Sequence, residues 1–88
     1  MSMLRRRVTV GVDEGAHARP VAELARLAQA HGAPVLLSTA SGERAELTSV
    51  LAVLDLAIAA GDEVTLEVAD APGAPALLDA LEAVLTDT

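Results

Sequence analysis

The chain has 88 residues, of which 52% are hydrophobic, so its length and composition allow one domain with a single core. The absence of aromatic residues excludes a stacking surface for bases or sugars, and the absence of cysteine excludes disulfide bonds and thiol chemistry. The chain has 13 acidic residues against six arginines, which gives a net charge of −7. Because this excess of negative charge would repel a phosphate backbone, we expect no nucleic-acid partner.

The apolar pattern predicts elements in the order β-α-β-β-α-β-α. Alternating valines predict a first strand at Arg7–Val12, and apolar residues at helical spacing predict a helix from Ala18 to about Ala30, which Gly32 ends. The later elements are predicted as strands Pro34–Thr39 and Glu43–Leu47 in a hairpin, a short helix Val50–Ala59 with Ser49 as its N-cap, a strand Glu63–Ala69 and a last helix from about Ala76 to Leu85. This order favours a single sheet with helices on one face, in one domain over residues 1–88.

Several other features have ordinary structural interpretations. We interpret Arg5–Arg7 as a solvated lead-in to the first strand rather than as an anion-binding patch. His31 complements the dipole at the end of the first helix and is assigned no function; neither it nor His17 has clustered acidic partners, so no metal site is predicted. The longest apolar stretch, Val50–Ala60, is too short to cross a membrane and is interrupted by Asp55, and the N-terminus lacks the apolar region of a signal peptide. We therefore expect a cytoplasmic protein without membrane association.

The segment Gly-Ala-His-Ala-Arg-Pro at positions 15–20 lies between the first strand and the first helix. Free backbone N–H groups and the helix dipole favour an anion at a helix start and disfavour a protonated imidazole, so His17 should stay neutral and nucleophilic. Arg19 can offer a planar fork of donors to phosphate oxygens, and Pro20 is tolerated in the first turn. Without a general acid–base partner or a metal, the segment suits acceptance and transfer of a phosphoryl group rather than hydrolysis. The alternative is a structural histidine beside a surface arginine.

The same segment resembles the Gly-x-His-Ala-Arg-Pro signature of HPr, the phosphocarrier family of the bacterial sugar phosphotransferase system. Residues 48–51 resemble the start of the family's second helix, and residues 60–66 resemble the start of its fourth strand. The resemblance covers nearly the whole chain. It implies an α+β open-faced β-sandwich, in which a four-stranded antiparallel sheet carries three helices on one face.

The resemblance also implies roles for individual residues. His17 would be phosphorylated on Nδ1 by enzyme I, which takes the phosphoryl group from phosphoenolpyruvate, and would pass it to the IIA domain of a sugar permease. Arg19 would steady the phosphoryl group, and the apolar residues Val50, Leu51 and Leu54 would form the docking surface for these partners. The chain would then be a monomeric carrier that needs no cofactor and is not itself an enzyme.

Ser49 corresponds to a serine that a regulatory kinase phosphorylates in many relatives. Its N-cap position alone also explains a serine here. The surroundings depart from the family pattern, because Thr48 replaces a lysine, Asp55 adds an acid and Ala57 replaces a common glycine. A Ser kinase would therefore meet a more acidic surface, so Ser49 is a less favoured candidate for phosphorylation than for capping.

Asp13 and Glu14, just before the signature, are a further departure that bears on the choice of partner. Like charges near a phosphohistidine would destabilise it modestly. Two alternatives therefore stay open beside sugar uptake. One is a carrier in a nitrogen-related or dihydroxyacetone-kinase phosphorelay, which would use the same His17 and Arg19. The other is a regulatory binding module that keeps the fold without transferring phosphate.

Overall fold

The chain folds in the predicted order, β-α-β-β-α-β-α, in a computed structural model that describes residues 2–11 and 18–86. In chain order the elements are β1 (Met3–Thr9), α1 (Ala18–His31), β2 (Val35–Thr39), β3 (Arg44–Glu46), α2 (Val50–Asp55), β4 (Glu63–Ala69) and α3 (Ala74–Thr86). Within these described ranges, no helix is long and apolar enough to cross a membrane.

The four strands form one sheet in the order β1-β4-β2-β3, with every neighbouring pair antiparallel. The predicted hairpin of β2 and β3 is present, and Leu37 lies opposite both Ala45 of β3 and Leu66 of β4. These three side chains are buried on the face of the sheet that meets the core, whereas the alternate residues of each strand lie on the open face. The open-faced β-sandwich predicted from the sequence is confirmed.

An aliphatic core lies between the sheet and the helices. Its largest fully buried side chains are Val10, Val21, Leu24, Val35, Leu37, Leu47, Val53, Val64, Leu66, Val68 and Leu81. The helices are amphipathic because apolar residues recur every three or four positions; Val21, Leu24 and Ala28, for example, bury one side of α1. This packing fixes the ends of the elements that border residues 12–17.

β1 begins at Met3, earlier than predicted, so the arginines at 5–7 lie inside the strand, and their interpretation as a lead-in to it is wrong. Their predicted solvent exposure is confirmed for Arg5 and Arg7, whereas Arg6 is half-buried. Pairing with β4 extends β1, since Met3 lies opposite Ala69. The strand ends at Thr9, and the last residue of the predicted strand, Val12, lies outside the described residues.

Each of the three arginines has a carboxylate within reach. Arg6 points to the helix side, where its guanidinium bonds Asp79 and, at 3.2 Å, Glu82 of α3. The hydrogen bond from Arg6 to Asp79 raises the pKa of the guanidinium. Arg5 and Arg7 lie on the open face, where they pair with glutamates of β4.

α2 ends at Asp55, before the predicted end at Ala59. The backbone tightens there, because the N–H groups of Leu56 and Ala57 bond carbonyls three residues earlier, both at 3.1 Å. Ala57 then adopts a positive φ of 53°, which stops the helix. α3, in contrast, is longer than predicted, because it begins at Ala74 instead of Ala76. Its first turn includes Pro75, where a missing N–H costs little.

Candidate functional site

The two residues predicted to handle a phosphoryl group border the start of α1. His17 itself, with the rest of residues 12–17, lies outside the described residues. Arg19 belongs to the first turn of α1, and its side chain is likewise outside the description. The structure does describe the elements on both sides of this segment, and they define how the chain enters and leaves it.

The chain enters the segment from a point fixed by three backbone hydrogen bonds. The N–H of Val10 donates to the carbonyl of Asp62 at 2.9 Å, and the N–H of Gly61 donates back to the carbonyl of Val10 at 3.0 Å. The N–H of Gly11 donates to the carbonyl of Leu85 near the end of α3 at 2.8 Å. The turn before β4 and the end of α3 therefore hold the backbone just before residue 12.

The turn before β4 has its own internal support. The Asp62 carboxylate accepts a hydrogen bond from the backbone N–H of Ala59 at 2.9 Å, and Gly61 adopts a φ of +87°, which glycine tolerates without a steric penalty. The hydrogen bonds between this turn and Val10 were not predicted from the sequence, because they join residues about fifty positions apart.

The chain leaves the segment into α1, whose first residue, Ala18, directly follows His17 in the sequence. The first N–H groups of any α-helix have no acceptor within the helix, and the dipole places partial positive charge there. Val21 and Leu24 anchor α1 because both are fully buried in the core. Burial of these two side chains holds the first turns of α1 against the core, directly after the predicted phosphorylation site in the sequence.

Glu23 and Arg26 form an ion pair on the surface of α1. The Nε of Arg26 donates to one carboxylate oxygen of Glu23 at 2.9 Å, and Nη2 donates to the other at 2.5 Å. The hydrogen bond from Arg26 lowers the pKa of Glu23, and the same contact raises the pKa of Arg26. The guanidinium of Arg26 is therefore paired with a carboxylate of its own helix.

Ser49 is the N-cap of α2, as predicted from the sequence. Its backbone is extended, with φ −102° and ψ 99°, and its hydroxyl oxygen accepts a hydrogen bond from the N–H of Ala52 at 3.2 Å. The hydroxyl of Ser49 is therefore engaged in the cap, although the residue as a whole is exposed to solvent.

The three residues predicted to form a docking surface have different environments. Leu51 is 75% exposed, whereas Val50 and Leu54 are half-buried against the core. Val53, on the inner side of the same helix, is fully buried. α2 therefore presents one large apolar side chain, Leu51, to solvent.

Metal binding has no support from side-chain geometry in the part of the chain that the structure describes. No group of three or more His, Cys, Asp or Glu side chains in residues 2–11 and 18–86 could hold a metal ion.

Comparison with known proteins identifies the group to which this architecture belongs. Residues 4–87 match the family model described as the PTS HPr component phosphorylation site. The phosphocarrier protein HPr of Streptomyces coelicolor is 42% identical over 85 residues, which cover 97% of this chain and 90% of the relative.

Solved structures agree with this match. The crystal structure of phosphocarrier protein HPr from Bacillus anthracis has a TM-score of 0.86 and 27% identity, covering 98% of this chain and all of that one. The solution structure of Crh, the catabolite repression HPr of Bacillus subtilis, has a TM-score of 0.67 and 27% identity, covering 97% of this chain and 99% of that one. Fold and sequence together define a small phosphocarrier of the phosphotransferase system. The chain belongs to the HPr family, which confirms the resemblance of its sequence.

Proposed function

We propose that this carrier accepts a phosphoryl group on Nδ1 of His17 from enzyme I and passes it to IIA domains of sugar permeases. The observation that carries the proposal is the position of the signature, with His17 directly before the first residue of α1. Family membership supports the phosphocarrier class, and the anchored helix start supports an anion at this position.

The chemistry requires little from the carrier itself. The Nδ1 lone pair of neutral His17 attacks phosphorus, while the bond from phosphorus to the donor atom of enzyme I breaks and its electron pair returns to that atom. In the second transfer a nucleophile of the IIA domain attacks phosphorus, and the bond from phosphorus to Nδ1 breaks with its electron pair returning to Nδ1. Arg19 and the free N–H groups of α1 then balance the negative charge of the phosphoryl group. In this proposal the chain is a substrate of partner enzymes rather than an enzyme.

We propose Leu51 as the main apolar contact of the docking surface, with Val50 and Leu54 supporting it from their half-buried positions. A single exposed leucine suits a transient interface, which must release its partner after each transfer. The carrier would act as a cytoplasmic monomer and as one domain over residues 1–88, with no cofactor.

Ser49 is assigned to capping α2, and this role accounts for the serine. Phosphorylation of Ser49 by a Ser kinase stays a separate prediction from the family resemblance. Its mark would be an acid-stable phosphate formed with ATP, in contrast to the acid-labile phosphohistidine.

The decisive experiment incubates the purified chain with enzyme I and phosphoenolpyruvate and measures its intact mass. We expect the gain of one acid-labile phosphoryl group and no gain in the His17→Ala variant. Arg19→Ala should still be phosphorylated, but more slowly, because one contact to the phosphoryl oxygens is lost. The absence of a mass gain, or a gain that persists in His17→Ala, would disprove the proposal.

A further inference from the structure

We propose that the partner surface that docks on α2 is apolar at its centre and cationic at its rim. This inference rests on the proposed function, because it specifies the chemistry of the surface that receives the carrier. It concerns the part of α2 formed by Leu51 and Asp55, which we call the α2 face.

Leu51 and Asp55 lie on the same side of α2. They are four residues apart, which is about one helical turn, and both are exposed. The opposite side of the helix carries the buried Val53. A partner that covers Leu51 would therefore also bring its own side chains close to the carboxylate of Asp55.

No basic residue of α2 or of the turns beside it balances this carboxylate. The stretch from 47 to 62 contains Asp55 and Asp62 but no lysine, arginine or histidine. α1 packs against α2, but its Arg26 is held by Glu23. Arg19 is assigned to the phosphoryl group in the proposed function. The α2 face is therefore apolar and anionic.

The position of Asp55 is not explained by helix stability. It is the last residue of α2, where the helix dipole disfavours a negative charge. The structure gives its carboxylate no ion pair among the described residues. An exposed carboxylate that has no ion pair in the described part of the chain and lies beside the exposed leucine is instead well placed to meet a lysine or arginine of a partner.

The charge of the whole chain acts in the same direction. With a net charge of −7 and no lysine, the carrier repels an acidic partner surface and attracts a cationic one over about one Debye length, roughly 8–10 Å. Such attraction raises the association rate without requiring a large permanent interface, which fits a carrier that exchanges partners.

Charge reversal at Asp55 tests this proposal. The KM and kcat for phosphorylation by the enzyme I of the same organism should be measured for the wild-type chain, Asp55→Asn and Asp55→Lys over a range of salt concentrations. We expect KM to rise in that order, about 3- to 10-fold for Asp55→Lys at low salt, with kcat unchanged. The wild-type KM should also rise with salt, and this dependence should be weaker in Asp55→Lys.

The matched control is Asp70→Lys, which changes the net charge equally. Asp70 is exposed and follows β4, at the end opposite to the turn at residues 60–62. Its variant should change KM less than twofold. Folding of Asp55→Lys is expected, because a lysine suits the C-terminal end of a helix, and a thermal unfolding curve verifies it.

The outcomes separate this inference from the proposed function. Phosphorylation of His17 with an unchanged or lowered KM in Asp55→Lys would overturn the cationic partner surface and leave the carrier function intact. Failure of enzyme I to phosphorylate the wild-type chain would disprove both the proposed function and the inference about the partner surface. A dimer in solution that Leu51→Asp converts to a monomer would place a second copy of the chain on the α2 face and would also overturn the inference.

Discussion

Ala57 shows how one residue determines the length of an element. Its φ of +53° lies in the left-handed region, where the Cβ of any residue other than glycine causes steric conflict. This conformation ends α2 and leads the chain towards the turn before β4. The family pattern has a common glycine at this position, and the structure supplies the physical reason for it.

Ala57→Gly should therefore stabilise the protein. Relief of the steric cost outweighs the extra freedom of the unfolded chain, and we expect a gain of about 0.5–1 kcal/mol, or roughly 2–8 °C in Tm. Chemical denaturation and thermal unfolding measure this change. Ala60→Gly is the control, since Ala60 lies in the same loop without a positive φ, and it should destabilise slightly. A lower Tm for Ala57→Gly would contradict the prediction.

At the scale of elements, α1 combines a buried side, which anchors the helix start, with a solvent side, which carries an ion pair. The buried side was predictable, because Val21 and Leu24 recur at helical spacing. The pair of Glu23 and Arg26 follows from the same geometry, since residues three apart are neighbours on a helix surface. This pair predicts that the pKa of Glu23 depends on Arg26.

The pKa of Glu23 should lie below that of a free glutamate and should return towards it in Arg26→Gln, because Arg26 hydrogen-bonds the ionised carboxylate. A lowered pKa in the folded state means that the pair stabilises the protein above the unfolded-state pKa of glutamate. This contribution is lost as the pH falls through the folded-state pKa. NMR titration of the Glu23 carboxyl carbon measures both values. Equal pKa values in the two proteins would show that the pair does not persist in solution.

At the scale of the whole molecule, acidic residues outnumber basic ones. Arg5, Arg6 and Arg7 are paired with carboxylates of β4 and α3, yet the chain keeps a net charge of −7. Excess negative charge repels itself in a compact fold and acts on any approaching partner. Both effects are reduced by salt.

The Tm at neutral pH should consequently rise by a few degrees between about 0.02 M and about 0.3 M NaCl, because salt screens the self-repulsion of the folded chain. Differential scanning calorimetry measures the change. Sodium sulfate should not be used for this comparison, since sulfate also strengthens apolar burial. A Tm that falls with NaCl would indicate that the surface ion pairs outweigh the repulsion.

The sequence by itself determined the order of the elements, the class of fold and the candidate phosphorylation segment. These features are local: alternation marks β4 at Glu63–Ala69, helical spacing marks α1, and the signature at 15–20 is continuous in the chain. Boundaries set by neighbours were less predictable. β1 extends to Met3 only because β4 pairs with it, and α2 stops at Asp55 because Ala57 changes its backbone conformation.

The tertiary structure alone decided which residues meet across the fold. It placed Arg6 beside α3, tied Val10 to the turn before β4, and left Leu51 exposed while Val50 and Leu54 pack against the core. The sequence could not supply these facts, because each depends on contacts between residues far apart in the chain. Local periodicity shows which side of an element is apolar, whereas the packing of the other elements determines how much of that side they cover.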